Sequence, residues 1–204
     1  MLTFDQVTKV VNRILDILDE KGLLMQRAQS AADIHGDKPE KLTHRQKIVE
    51  ELVKTERDYV QHLELLQQFK NEIEQKGSIA GDTAHDIFLN LNQLLDFQRR
   101  FLIRIEQQNC LPEAQQNWGK LFFHYKDAFR VYEPFIANQN CCRESLELQW
   151  GKLRRESVNS QFRDLVETPA TLLGFLLKPF QRLTRYPLLL GVSLVTMVIS
   201  RLQS

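Results

Sequence analysis

The chain has 204 residues, 27 of them Lys or Arg against 26 Asp or Glu, so a formal charge of +1 offers no global attraction to nucleic acid or to an anionic membrane. Hydrophobic residues at 43% and charged residues at 26% exclude a wholly disordered chain. With 8 Gly and 6 Pro, below average usage, a turn-rich all-β fold is excluded in favour of long helices.

From Asp5 to Leu24 the apolar residues Val7, Val10, Val11, Ile14, Leu15 and Leu18 recur at steps of three and four, and Gly22 falls where a helix stops. Acids and bases interrupt the segment, so it is an amphipathic helix and not a signal peptide. The stretch MQRAQSAADIHGDKPEKLT is polar and holds Gly36 and Pro39, which reads as a linker and places a domain boundary over 25–43.

A much longer helix is predicted over His44 to Gln75, with Thr43 as N-cap and Gly77 at its end. On a wheel of about 100° per residue with Ile48 at zero, Ile48, Val49, Leu52, Val53, Tyr59, Val60, Leu63 and Leu66 centre near about 50° to 60°. Glu51, at about 300°, lies beyond one edge of that stripe, where a solvated flank is the plain expectation. Glu56, at about 80°, falls inside it, and a carboxylate there needs an Arg or a backbone N–H group for company, so its role is structural.

After GSIAGDT one further helix is predicted from His85 to Gln107, with Asp82 or Thr83 as cap. The next segment puts Pro112 near its start and then spaces Trp118, Leu121, Phe122, Tyr125, Phe129 and Tyr132 helically, with Phe135 just past Pro134, the aromatic heart of the core. Glu144 to Glu167 is helical with weaker periodicity, ended by Pro169. No strand pattern or internal repeat appears up to Leu190. The fold class expected is all-α, an elongated bundle of long helices.

Cys110, Cys141 and Cys142 form neither a CxxC nor a zinc-type spacing and read as reduced thiols in a cytosolic protein. No metal or cofactor site is expected. His35, His44, His62, His85 and His124 are scattered, and no P-loop or GxGxxG occurs, so no enzyme site is indicated. The most apolar stretch, Tyr186 to Ile199, is shorter than the roughly 17 to 25 residues of a membrane span.

In LLKPFQRLTRYPLLL, the residues Leu176, Phe180, Leu183, Pro187 and Leu190 fall on one apolar stripe, which assigns Phe180 and Leu183 to packing. Gln181, Arg185 and Leu188, at i, i+4 and i+7, lie roughly opposite and present an amide, a guanidinium and a leucine outward, a set suited to a protein partner. Beyond them Gly191 weakens the helix, and Val192, Val195, Val198 and Ile199 favour strand.

TERDYVQHL, taken with LLKPFQRLTRYPLLL, resembles the two signature regions of the Dbl-homology domain, the helical module that promotes guanine nucleotide exchange on Rho-family GTPases. The resemblance covers about residues 43 to 190 and is similar in kind to the fungal cell-polarity members, where a calponin-homology-like domain precedes the module. It implies four segments: 1–24 as the last helix of a truncated calponin-homology-like domain, 25–43 as linker, 44–190 as an incomplete Dbl-homology domain, and 191–204 as an atypical, C-terminally truncated tail. The family's switch-contacting glutamate matches Glu51; its basic residue before the signature Tyr, often Lys, matches Arg185; Gln181 and Leu188 match neighbouring contact positions. The implied partner is a Rho-family small GTPase of the cell-polarity type, with scaffold proteins in addition and no nucleic acid. The implied location is cytoplasmic, with recruitment to the cell cortex. The implied activity makes and breaks no bond; the alternative is a noncatalytic helical scaffold or an inactive truncated product that binds a partner protein.

Overall fold

The structure, a computed structural model, describes residues 12, 13, 16, 17, 20, 24, 44–157 and 160–202, and among these all regular elements are helical. The helix expected over Asp5 to Leu24 and the linker after it fall largely outside the described residues. The helices are α1 (His44–Gln75), α2 (Gly81–Phe88), α3 (Leu91–Asn109), α4 (Trp118–Tyr125), α5 (Tyr132–Ala137), α6 (Gln139–Ser157), α7 (Pro169–Leu176) and α8 (Lys178–Leu202). Short 3-10 turns lie at Glu113–Gln115 and Lys126–Val131.

Helix α1 organises the bundle by packing along α3 and α8, while α2 lies on α6 and α5 on α8. Its apolar stripe is buried as its periodicity requires, from Val49 and Leu52 through Tyr59 and Leu63 to Phe69 and Ile73. It ends where expected. Gly77 adopts φ 61, the Gly77 N–H donates to Glu74 O (3.1 Å) and the Ser78 N–H to Ile73 O (3.3 Å), a paired closure that needs a left-handed residue.

The single helix expected from His85 to Gln107 is two. Leu89 takes φ 51 with ψ −139, a sparsely populated positive-φ conformation that costs a non-glycine residue on the order of 1 to 3 kcal/mol, and its side chain is buried. The break lets Ile87 and Phe88 of α2, then Leu91, Leu94 and Leu95 of α3, all reach the core, and Asn90 ties it down by donating to Val131 O (2.9 Å). Periodicity does not register a change of axis. The expected caps differ too: α2 begins at Gly81, so Asp82 lies within the first turn, where its charge suits the helix N-terminus.

Two further expectations are corrected. The helix drawn over Glu144 to Glu167 is α6, which starts earlier and stops at Ser157; Phe162, Leu165 and Val166 are buried from turns, with no helix. The β-branched residues after Gly191 continue α8 to Leu202, because extending an existing helix avoids the nucleation cost that an isolated segment meets.

The aromatic segment is buried as expected. Phe101 meets Phe122 (5.3 Å, 78°) and Tyr186 (6.0 Å, 86°) edge to face, and Phe129 meets Tyr186 (5.4 Å). Such contacts add about 0.5 to 1.5 kcal/mol each beyond area burial. This cluster is the floor beneath the pairing of α1 with α8.

Cys142 is buried and its thiol donates to Ile87 O (3.2 Å), whereas Cys110 and Cys141 are exposed. Burial pushes the Cys142 thiol up to about 12, with neighbouring Cys141 adding to the effect. A maleimide reagent at neutral pH is therefore expected to label Cys110 and Cys141 in the native chain and Cys142 only after unfolding. Peptide mass mapping reads this directly, and rapid native labelling of Cys142 contradicts its placement.

Candidate partner-binding face

The face is built on a buried charge. Glu56 sits within the apolar stripe of α1 at 0% exposure, and its carboxylate is answered from α8 and α3. Arg182 Nε donates to Oε2 (2.9 Å) and a second guanidinium nitrogen donates to the same oxygen; the Tyr186 hydroxyl donates at 3.0 Å, and the Gln98 amide donates to Oε1. Tyr132 extends the network by donating to Gln98 Oε1 (2.8 Å). Burial pushes the Glu56 carboxyl up from its ordinary range, and Arg182, Tyr186 and Gln98 oppose it by favouring the charged form. For Arg182, burial works against the charge, but Tyr186 and Glu56 outweigh it and hold the guanidinium above its ordinary value.

These contacts fix how the two helices run. Arg182 meets Thr55 and Glu56, Leu189 and Leu190 lie with Ile48, Val49 and Leu52 around an apolar notch, and the His62 ring meets Phe175 at the end of α7, just before α8 begins (5.4 Å). Rising numbers on α1 therefore face falling numbers on α8, and the helices are antiparallel. That register sets Glu51 level with the Arg185 to Leu188 turn.

Two side-chain rows border the seam. On α1, Glu51, Thr55, Asp58 and His62 recur at i, i+4, i+7 and i+11; on α8, Lys178, Gln181, Arg185 and Leu188 do the same at i, i+3, i+7 and i+10. Thr55, Asp58, His62, Lys178, Gln181 and Arg185 line one open cleft between the helices, with Tyr59 and Arg182 at its base. Glu51, Gln181, Arg185 and Leu188 are exposed, and Leu188 stands out at 66%. A bare leucine among hydrogen-bonding and charged groups is chemistry for binding a protein surface.

Leu183 is fully buried, in keeping with its packing role, but Phe180 is not. Phe180 is 36% exposed. The expected stripe extended from Leu176 through Phe180, yet Leu176 belongs to α7 and α8 begins at Lys178, so the spacing crosses a joint between two helices. The inward arc of α8 keeps Leu183, Pro187 and Leu190 from the expected stripe and adds Pro179, Arg182 and Tyr186, the last two turned toward Glu56. The residues that the sequence left unassigned are therefore Arg182, Tyr186 and Gln98. Glu56 in its apolar stripe was the signal for a buried cation, but nothing in the spacing named which one.

Among the described residues no group of His, Cys, Asp or Glu gathers as a metal ion requires, and no helix is long and apolar enough to cross a membrane.

A family model described as the RhoGEF domain matches residues 48–194. Cell division control protein 24 of Saccharomyces cerevisiae is 36% identical over 168 residues, which span 80% of this chain and 19% of that protein. Rho guanine nucleotide exchange factor scd1 of Schizosaccharomyces pombe is also 36% identical, over 71% of this chain and 16% of its own length. The human phosphatidylinositol 3,4,5-trisphosphate-dependent Rac exchanger 2 protein is 32% identical over 80% of this chain and 11% of that protein. A solved structure of the Vav1 exchange factor superposes with TM-score 0.62 at 22% identity, covering 75% of this chain and 46% of that one, which shows a shared fold. The chain thus spans less than a fifth of the length of the curated relatives it matches.

Proposed function

The chain belongs to the RhoGEF domain family, and on that premise we propose that it is a guanine nucleotide exchange module for a Rho-family small GTPase of the cell-polarity type, binding the switch regions and promoting release of GDP. The observation that carries this reading is the paired rows on antiparallel α1 and α8: Thr55, Asp58 and His62 share one cleft with Lys178, Gln181 and Arg185, and exposed Glu51 and Leu188 continue the same two rows. Support for the polarity assignment comes from the two fungal relatives, one of them named as a cell division control protein. A cytoplasmic location with recruitment to the cell cortex, and scaffold proteins as further partners, belong to the same proposal.

The mechanism is one of linkage. A GTPase holds its nucleotide through phosphate and Mg²⁺ contacts, and a partner that binds the empty form more tightly than the loaded form lowers nucleotide affinity by the same factor. Glu51 engages switch I and draws it from the nucleotide, while Gln181, Arg185 and Leu188 hold the neighbouring switch surface. The module supplies no covalent step and uses no cofactor of its own. Mixing the purified chain with a Rho-family GTPase carrying a fluorescent nucleotide tests the proposal: accelerated release is expected, and binding without release identifies a scaffold.

Arg185 provides a local check. Arg185→Glu is expected to weaken GTPase binding by on the order of tenfold or more, because like charges placed across an interface cost several kcal/mol. Arg185 is exposed and outside the inward arc of α8, so the helical circular dichroism should not change. Unaltered affinity rules this face out as the interface.

A further inference from the structure

The Arg182 guanidinium does more than answer Glu56. At 4% exposure it reaches across the seam to the one turn of α1 that carries Glu51: Nη1 donates to Thr55 Oγ1 (2.9 Å) and Nη2 to Leu52 O (3.3 Å), while Nε bonds Glu56. Thr55 Oγ1 in turn donates to Glu51 O (2.7 Å). The guanidinium plane lies over the Tyr186 ring, 4.8 Å from its centroid, which fixes its orientation from below. On its own helix Arg182 follows Gln181 directly and stands one turn before Arg185.

From this fan of donors we infer that Arg182 is a positioning residue for exchange, acting through Thr55 and the 51–56 turn to hold Glu51 at a set height and angle against the Gln181 and Arg185 row. The inference rests on the exchange reading above. Stability alone does not call for this arrangement, because well-packed apolar residues commonly replace a buried ion pair without loss. What an apolar pair does not supply is directional bonding from one guanidinium to three groups of the facing turn, on Leu52, Thr55 and Glu56. Lysine does not supply it either, since an ammonium is a compact point charge without the planar fork.

Arg182→Lys, which keeps a cation opposite Glu56 and gives up the fork, provides the test. Against the parent chain, nucleotide release from a Rho-family GTPase is expected to slow at least tenfold while the melting temperature stays within a few degrees, and amide hydrogen exchange should rise in peptides covering 51–56 more than in the rest of α1. Thr55→Val should reproduce part of the loss and Thr55→Ser restore it. In a Glu51→Ala background Arg182→Lys should slow release no further, an epistasis that a purely structural role does not produce. Release at the parent rate by Arg182→Lys, an effect that tracks the unfolded fraction, or full additivity with Glu51→Ala overturns the positioning role and leaves the exchange reading intact. A parent chain that releases no nucleotide sinks the exchange reading instead, and the positioning role falls with it.

Discussion

Glu56→Ala is expected to cost about 3 to 5 kcal/mol of folding stability, the usual consequence of stripping one partner from a buried ion pair. Arg182, 4% exposed, is left with an uncompensated charge, and the Gln98 amide and Tyr186 hydroxyl lose their shared acceptor. The truncation also opens space where α1, α3 and α8 meet. For a module of this size the loss is comparable to a large part of the whole stability. Urea denaturation followed by circular dichroism measures it, and a midpoint shift worth less than about 1 kcal/mol contradicts the burial described above. Replacing both partners together, as Glu56→Met with Arg182→Met, should restore much of the stability, since no lone charge remains.

The second large effect separates function from folding. Glu51 is exposed and off the apolar stripe, so Glu51→Ala should change stability by less than about 0.5 kcal/mol. On the proposed exchange reading the same change should remove a charge-assisted contact worth about 1.5 to 3 kcal/mol, which is roughly 10- to 150-fold in the rate of nucleotide release. Stopped-flow release and a thermal melt on the same preparation decide it. A variant that melts many degrees lower makes Glu51 a structural residue, and one that releases nucleotide at the parent rate removes it from the site.

The two glutamates show how far periodicity reads a site. Both lie in one helix whose C-terminal bound follows from Gly77 and whose inward face follows from its apolar spacing, and the wheel separates them correctly into one at the flank and one inside the stripe. It also states a physical demand, that Glu56 must meet a compensating partner. It does not identify Arg182, because the partner comes from a helix more than a hundred residues later and is chosen by tertiary register. Around Phe180 the pattern misleads for a related reason: spacing carried across the joint between α7 and α8 treats two helices as one, so Phe180 joins a stripe whose other members are buried while it stands 36% exposed. Leu89 marks the same limit at the α2–α3 break, where a leucine at positive φ leaves the apolar spacing intact while the axis turns. The outward row of Gln181, Arg185 and Leu188 was legible because it lies within a single helix and needs only the period of 3.6.

The central claim is that this chain binds the nucleotide-free form of a Rho-family GTPase in preference to the loaded form, and titration calorimetry or interferometry of both forms measures that preference most directly. An exchange factor is expected to show an affinity at least tenfold tighter for the empty GTPase, with the difference collapsing in Glu51→Ala. Equal affinity for the empty and loaded forms contradicts the account, because a partner without that difference shifts no nucleotide equilibrium however tightly it binds.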